Sequence, residues 1–301
     1  PTGRIAFVAQ DAVHPGDVFS MDAQGRETQR TRVNAGLLRT VTVTPQEHFT
    51  FKGTLGQDVD AWIMRPVSCE PGRRYPLILQ THRGSHGHAF YFEHQVMAAR
   101  GYAVLYCNKV GAQGYGQAYA LAQDKAWGGP DVKEMVDAVD AAAAFDFVDG
   151  ARVGTIGQSA GGFYTNWMLA TSDRFKAGVA GSGSYNWISK FGTSDIGTTY
   201  VISETGGLPW ESRELLDRYW AMSPIAHVHK IRAPLLILHA EDDHRVSISQ
   251  AEELFRALRH LGRTVEFVWF KDESHGFLRT GRMVNRIERL RRVMDWFDRY
   301  L

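Results

Sequence analysis

The sequence predicts an α/β fold, a mostly parallel central sheet with helices on both faces, preceded by a short β-rich N-terminal segment. Two observations support this prediction. After Pro76, short apolar runs that are typical of buried strands alternate with runs that are typical of helices. Before that point the chain holds only short strand-like runs. Because strands that alternate with helices form parallel sheets, we expect one such sheet in the second part.

The first 45 residues are expected to form the β-rich unit, and residues 46–301 the α/β unit. Polar turn residues at 22–25 separate two short strand-like runs, and alternation with a period of two marks the runs that follow. No helix is expected in residues 1–50. The strands are expected at residues 4–9, 17–21, 40–44, 48–51 and 59–65.

The α/β part has a regular succession of elements. The helix expected at residues 131–145 has Asp131 as its N-cap, and residues 183–230 are expected to be irregular except for one helix. Apolar runs predict strands at residues 77–81, 102–107, 152–156, 175–181, 233–239 and 264–270. Helical patterns lie at residues 90–100, 131–145, 163–170, 211–219 and 283–300.

Composition excludes several classes of function. The formal charge of +1 gives no argument for binding nucleic acid or an anionic membrane. No apolar run approaches the roughly 20 residues of a membrane span. A disulfide between Cys69 and Cys107 is not expected, and no signal peptide is present, so we expect a cytoplasmic protein.

Four histidines crowd one stretch, but they do not predict a metal site. These residues are His82, His86, His88 and His94. Imidazole is a good zinc ligand, yet no Cys or Asp joins them at ligand spacing. The glycine-rich stretch 111–116 lacks the order of a nucleotide-binding loop. We therefore expect neither a metal nor a cofactor.

A glycine-rich turn around Ser159 is the strongest chemical signal. The sequence Gly-Gln-Ser-Ala-Gly-Gly at residues 157–162 follows a predicted strand and precedes a predicted helix. A G-x-S-x-G sequence in this context is typical of a nucleophile elbow. The N–H group of Ala160, at the start of the helix, would face an oxyanion that forms on the serine side.

A base and an acid follow the serine in the required order. His275 lies in a loop after the last predicted strand, and acidic residues follow the strand before it. Serine needs a histidine base, and the histidine needs an orienting acid. The sequence therefore predicts a Ser159, Asp243 and His275 triad, although spacing alone does not separate Asp243 from Asp242.

Several stretches together resemble the prolyl oligopeptidase family of serine peptidases, in particular its acylaminoacyl-peptidase and dipeptidyl-aminopeptidase-like branch. The matching stretches are residues 75–79, 99–104, 114–116, 157–162, 165–167, 174–177, 186–187, 193–197, 241–246 and 274–276. The resemblance covers about residues 40–301 and implies an α/β-hydrolase fold. In this family the catalytic Asp lies two residues before the Arg of D-x-R-V, which implies Asp243 because Arg245 follows it.

The chain departs from the family pattern near the predicted oxyanion hole. His82-Arg83-Gly84-Ser85 stands where the family usually has His-Gly-Gly-Pro, and Ala160 stands where it has Tyr or His. The family supplies its second oxyanion donor from this backbone, which implies the N–H of Arg83 or Gly84. Only backbone N–H groups are needed, so hydrolysis is expected to survive these changes better than substrate specificity.

The resemblance implies a peptidase that cleaves short peptides, N-acylated or dipeptide-releasing, through an acyl-enzyme. An esterase or amidase acting on small acyl compounds with the same triad stays open as the alternative. A third interpretation is a silent binding protein that keeps the fold, and a complete triad argues against it.

The family also places a β-propeller before the hydrolase domain. A propeller needs a few hundred residues, and residues 1–45 are too few for one. Residues 4–9 and 17–21 nevertheless resemble the closing strands of a blade, and the chain begins at Pro1. We expect a propeller that is missing or is a separate chain. The alternative is a short extension packed on its own hydrolase domain or exchanged within a homo-oligomer.

Overall fold

The structure of the chain is a computed structural model that describes residues 3–84 and 89–301. Two separate sheets contain all of the strands in these residues. The strands are β1 (Ile5–Ala9), β2 (Asp17–Met21), β3 (Glu27–Gln29), β4 (Gln46–Lys52), β5 (Asp58–Met64), β6 (Tyr75–Thr81), β7 (Ala103–Cys107), β8 (Val148–Gln158), β9 (Phe175–Gly181), β10 (Leu235–Ala240) and β11 (Val265–Phe270).

Helices connect most of the later strands. The α-helices are α1 (Ala35–Leu38), α2 (Phe92–Ala99), α3 (Gln117–Leu121), α4 (Pro130–Ala142), α5 (Ala160–Thr171), α6 (Trp187–Thr193), α7 (Ile202–Thr205), α8 (Arg213–Ala221), α9 (Ser249–His260), α10 (Phe277–Thr280) and α11 (Met283–Tyr300). A π-helical turn spans Gly197–Val201, and a 3₁₀ helix spans Pro224–Lys230.

The large sheet has eight strands in the order β11-β10-β9-β8-β6-β7-β5-β4. Strand β4 pairs antiparallel with β5, and β5 pairs antiparallel with β7; all other pairs are parallel. Helices α4, α5 and α9 pack on one face, and α2 and α11 pack on the other. The predicted parallel sheet with helices on both faces is confirmed.

The small sheet contains β1, β2 and β3, all antiparallel. The side chain of Gln95 in α2 joins this N-terminal part to the rest of the chain. Its Nε2 atom donates to the carbonyls of Ala12 (2.9 Å) and Thr44 (3.0 Å), and its Oε1 atom accepts the Thr44 N–H at 2.9 Å. The division of the chain at residue 45, and the origin of the small sheet in a propeller, stay predictions.

Two predictions for the N-terminal part were wrong. Residues 40–44 form no strand, although their residues alternate, because the backbone of Thr44 bonds to the Gln95 side chain instead of a neighbouring strand. A helix was not expected here, yet α1 forms one short turn.

Two predictions for the α/β part also need correction. Asp131 is not the N-cap of α4, since Gly129 holds that position and Asp131 accepts the N–H of Gly128 (3.0 Å) from within the first turn. Residues 183–230 are mostly helical rather than irregular. Short helices of this kind depend on tertiary packing and on local caps, such as Asn186 at the start of α6.

Cys69 and Cys107 are both free thiols. In residues 3–84 and 89–301, no cluster of three or more His, Cys, Asp or Glu side chains could hold a metal ion. His86 and His88 of the histidine-rich stretch lie outside the described residues. Within the described ranges, no helix has both the length and the apolar character required to span a bilayer.

Candidate active site

Ser159 lies at a sharp turn between β8 and α5. Its backbone φ of 60° is in the left-handed region, where side chains other than glycine are strained. Close packing against β6 explains the glycines on either side. A Cβ atom on Gly157 would overlap the Thr81 hydroxyl, and one on Gly161 would overlap the Thr81 carbonyl oxygen. The turn can therefore form only with glycine at these two positions.

The structure brings Ser159, His275 and Asp243 into one hydrogen-bonded row. His275 Nε2 lies 2.9 Å from Ser159 Oγ, and His275 Nδ1 lies 2.7 Å from Asp243 Oδ2. An ionised carboxylate can only accept, so Nδ1 carries the proton and Nε2 is left to accept the serine hydroxyl. Asp243 is buried, whereas the neighbouring Asp242 is exposed.

The loop after β10 holds Asp243 in place through its second carboxylate oxygen. Asp243 Oδ1 accepts the N–H of Val246 at 2.8 Å. The fully buried His239 also bonds to this loop, since its Nε2 lies 2.8 Å from the Val246 carbonyl. Burial lowers the pKa of His239, so the ring is neutral and donates this bond. His239 thus supports the loop without adding charge beside Asp243.

A surface ion pair joins the same loop to the turn that follows α6. Arg245 Nε lies 2.8 Å from Asp195 Oδ1, and Arg245 Nη2 lies 3.3 Å from Oδ2. The Asp195 N–H donates to the His244 carbonyl at 2.9 Å. The hydrogen bond from Arg245 lowers the pKa of Asp195 and keeps this carboxyl ionised. Two segments that are far apart in sequence therefore meet beside Asp243.

The three residues predicted for the oxyanion hole lie at the ends of β6 and β8. Ala160 is the first residue of α5, so its N–H has no acceptor within the helix. Thr81, the last residue of β6, pairs with Gly157, which places Arg83 and Gly84 beyond it beside the serine turn. Gly84 has a φ of 83°, which suits glycine and turns the backbone sharply at this point.

The Arg83 side chain packs against the rings of Trp127 and Tyr200. These two rings and that of Trp187 are called the aromatic wall below. The Arg83 guanidinium carbon lies 5.3 Å from the ring centre of Trp127 and 4.9 Å from that of Tyr200. Its Nη2 atom lies 2.9 Å from Oε1 of Glu204, and the Trp127 Nε1–H donates to Oε2 at 2.6 Å. The Arg83 side chain therefore lies along the aromatic wall, and the Glu204 carboxylate holds it there.

The sequence did not predict the residues that surround the hydrogen-bonded row of Ser159, His275 and Asp243. His239 and Asp195 support the Asp243 loop, and Glu204 holds Arg83. The signal for Asp195 was present, because it lies in a stretch, residues 193–197, that resembles the family. Glu204 had no such signal, since its partners are more than 70 residues away in sequence.

Comparison with known proteins agrees with the fold and with the family resemblance. The sequence pattern of the prolyl oligopeptidase family matches residues 88–301. An acylaminoacyl peptidase from Pyrococcus horikoshii superposes with a TM-score of 0.93 at 29% identity, over 99% of this chain and 48% of that one. An acylaminoacyl peptidase in complex with Z-Gly-Gly-Phe-chloromethyl ketone has a TM-score of 0.94 at 30% identity, over 99% and 48%. The fold is that of the α/β-hydrolases.

Curated relatives point the same way. An uncharacterized peptidase of Bacillus subtilis, YuxL, is 39% identical over 95% of this chain and 44% of its own length. Dipeptidyl-peptidase 5 of Porphyromonas gingivalis is 29% identical over 95% of this chain and 42% of its own. The chain spans about half the length of these relatives. It belongs to the prolyl oligopeptidase family of serine peptidases, as its sequence motifs predicted.

Proposed function

We propose that the chain hydrolyses short peptides by acyl transfer, with Ser159 as the nucleophile, His275 as the base and Asp243 as the orienting acid. The observation that carries the proposal is the row of two hydrogen bonds, 2.9 Å and 2.7 Å, that joins these three side chains. Both lengths are within the reach that proton transfer and orientation require.

The reaction has two halves. Ser159 Oγ attacks the scissile carbonyl while His275 Nε2 takes its proton, and the amine leaves with that proton as the acyl-enzyme forms. Water then gives a proton to His275 and attacks the ester. The acid is released, and the proton returns to Ser159. Asp243 accepts the Nδ1–H bond throughout and stabilises the imidazolium that forms in each half.

The charge that develops on the carbonyl oxygen needs donors that are already in place. We assign this role to the N–H of Ala160 and to the backbone N–H of Arg83 or Gly84. A donor of this type contributes on the order of 10²–10³-fold to the rate. Backbone donors do not depend on side-chain identity, so the unusual residues at positions 83 and 160 are compatible with them.

A short peptide is the substrate that the relatives favour. The comparison structure with the chloromethyl ketone carries a peptide inhibitor, and the named relatives are peptidases. Hydrolysis of small esters or amides is the second candidate. The observation that favours it is the Arg83 side chain, which packs against Trp127 and Tyr200 and takes up room that a glycine at this position would leave free.

Labelling and a substrate panel test the proposal. A fluorophosphonate should label Ser159, and mass spectrometry of the labelled peptide should find the adduct on this residue. Acyl-aminoacyl anilides should then be compared with simple acyl esters of the same leaving-group acidity. Turnover of the anilides supports the peptidase, and turnover of esters alone supports the second candidate. A protein that is neither labelled nor active would overturn the proposal.

A further inference from the structure

A second cation lies on the same aromatic wall as Arg83. Lys190 of α6 is buried, and its Nζ atom lies 4.9 Å from the ring centre of Trp187 and 5.1 Å from that of Tyr200. Its hydrogen bond is to the Ser184 hydroxyl, at 2.8 Å. Among the residues that the structure describes, no carboxylate lies within ion-pair distance of this ammonium. Tyr200 is therefore in contact with both cations.

The wall has one more positive charge than negative charge. Glu204 is the carboxylate that both cations share, and its two oxygens are already bonded to Arg83 and to Trp127. Lys190 interacts with Glu204 only at longer range. Arg245, the next cation along the site, is paired with Asp195. The arrangement can accept a further negative charge.

An unpaired cation in a buried, aromatic setting is costly, and an anion that reaches it gains more than it would in water. Burial lowers the pKa of Lys190 to about 8, so this side chain is still charged in most copies of the protein at neutral pH. The Arg83 side chain is half exposed. A ligand can therefore reach the wall at Arg83.

The proposed oxyanion donors would place the wall on the acyl side of the reacting carbonyl. If the N–H of Arg83 or Gly84 holds the oxyanion, the Arg83 side chain begins next to the carbonyl carbon. Lys190 bonds to Ser184, three residues beyond Gly181. The Gly181 carbonyl accepts the Ser159 N–H at 2.8 Å, which places Lys190 near the serine turn. Substituents of the residue that bears the scissile carbonyl would thus point toward these two cations.

Building on the proposed function, we propose that Arg83 and Lys190 select substrates with a carboxylate on the acyl side of the scissile bond. The carboxylate belongs either to an acidic side chain, as in a glutamyl residue, or to a dicarboxylic acyl group, as in a succinyl cap. Both present the same chemistry to the wall, and matched substrates distinguish them.

The test compares isosteric substrates. The ratio of kcat/KM for acetyl-Glu anilide over acetyl-Gln anilide measures the side-chain source, and succinyl-Ala over acetyl-Ala anilide measures the cap. A charge-assisted contact contributes enough for one of the two ratios to reach about tenfold or more. Lys190→Met should reduce that ratio several-fold. At pH 6.5, where Lys190 stays charged, Glu204→Gln should raise it, because the competing carboxylate is removed while the shape of the side chain is kept.

Lys176→Met is the matched control and should leave the ratio unchanged, since Lys176 is exposed near the start of β9, whereas Ser159 follows the end of the neighbouring strand β8. Ratios near one, or a preference for the neutral substrates, would overturn the inference while the neutral anilides are still turned over. If a fluorophosphonate labels Ser159 but no anilide is cleaved, the peptidase proposal fails separately. In that case the inference is tested by adding acetyl-glutamate or acetyl-glutamine during fluorophosphonate labelling. Acetyl-glutamate should slow the labelling of Ser159 more than acetyl-glutamine does, and equal slowing by the two compounds would overturn the inference.

Discussion

Asp243 bonds to His275 with one carboxylate oxygen and to the backbone of its own loop with the other. The first contact is 2.7 Å to His275 Nδ1, and the second is 2.8 Å to the Val246 N–H. The carboxylate that bonds to the histidine ring is therefore itself held in place. The following expected outcomes depend on this geometry and on the packing around it.

Removal of the Ser159 hydroxyl should abolish turnover. Ser159→Ala is expected to lower kcat by about 10⁴-fold or more, as loss of a triad member generally does. The fold should be kept, because the hydroxyl is at a half-buried turn and its loss leaves no core cavity. Steady-state kinetics and thermal unfolding check both statements. Ser172→Ala, just beyond the end of the same helix, is the control and should keep normal activity.

The two neighbouring aspartates should differ sharply. Asp243→Asn is expected to lower kcat by roughly 10³–10⁴-fold, because an amide next to Nδ1 favours the wrong histidine tautomer. Asp242→Asn should have little effect, since Asp242 is exposed. The same kinetic assay on both variants decides. Equal losses in the two variants would be inconsistent with the role proposed for Asp243.

The glycine after Ala160 should not tolerate a methyl group. In Gly161→Ala, the new Cβ would overlap the Thr81 carbonyl, which belongs to a rigid strand. Overpacking of this kind costs about 1–3 kcal/mol, so a lower melting temperature and loss of fluorophosphonate labelling are expected. Gly36→Ala is the control, because nothing lies within 4 Å of its Cβ position. A fully active and stable Gly161→Ala would show that the turn is looser than described.

The N-terminal part should loosen when the Gln95 side chain is replaced. Gln95→Leu removes the partners of the Thr44 N–H and of the carbonyls of Ala12 and Thr44. Buried backbone groups without partners cost about 1–3 kcal/mol, so limited proteolysis should cut within residues 3–45 at lower protease concentration. The exposed Gln117→Leu change should leave the digestion pattern as it is. An unchanged pattern in Gln95→Leu would mean that other contacts hold the segment.

The preference for an anionic substrate should depend on pH. Burial is the main cause that lowers the Lys190 pKa, to about 8; Arg83 and Arg245 lower it further, while Glu204 and Asp243 raise it. Lys190 is charged below this pH and neutral above it, so the preference should fall as pH rises through about 8. The ratio of kcat/KM for the matched anilides, measured from pH 6.5 to 9.5, checks this. In Lys190→Met the ratio should not change over this range.

The sequence predicted the features that depend on residues contiguous in the chain. The turn at Ser159 needs a strand, two glycines and a helix in succession, and all of these are contiguous. The position of His275 was also predicted from contiguous residues, because the histidine lies in the loop directly after the last predicted strand. Asp243 was separated from Asp242 only through the family resemblance, because neighbouring residues on a loop do not reveal which one turns inward.

Features that depend on distant partners were not predicted. The alternation at residues 40–44 suggested a strand, but Gln95, some 50 residues away, takes up the backbone of Thr44. Lys190 and Glu204 would be ordinary surface charges in isolation. In the fold, Lys190 of α6 is buried against the aromatic wall, and Glu204 of α7 bonds to Arg83. The periodicity of the sequence carries no information about these contacts.

The chain segment between Gly181 and Leu235 contains Lys190, Tyr200 and Glu204, but none of the three residues of the proposed triad. Both of its ends are anchored in adjacent strands, β9 and β10. Apart from Arg83 and Trp127, the residues of the aromatic wall and the charged groups on it thus lie in a different stretch of the polypeptide from the proposed triad. Residues 182–234 could therefore be exchanged as one unit: replacing them with the corresponding segment of a relative should change the part of the substrate preference that depends on Lys190, while Ser159, Asp243 and His275 stay on the host.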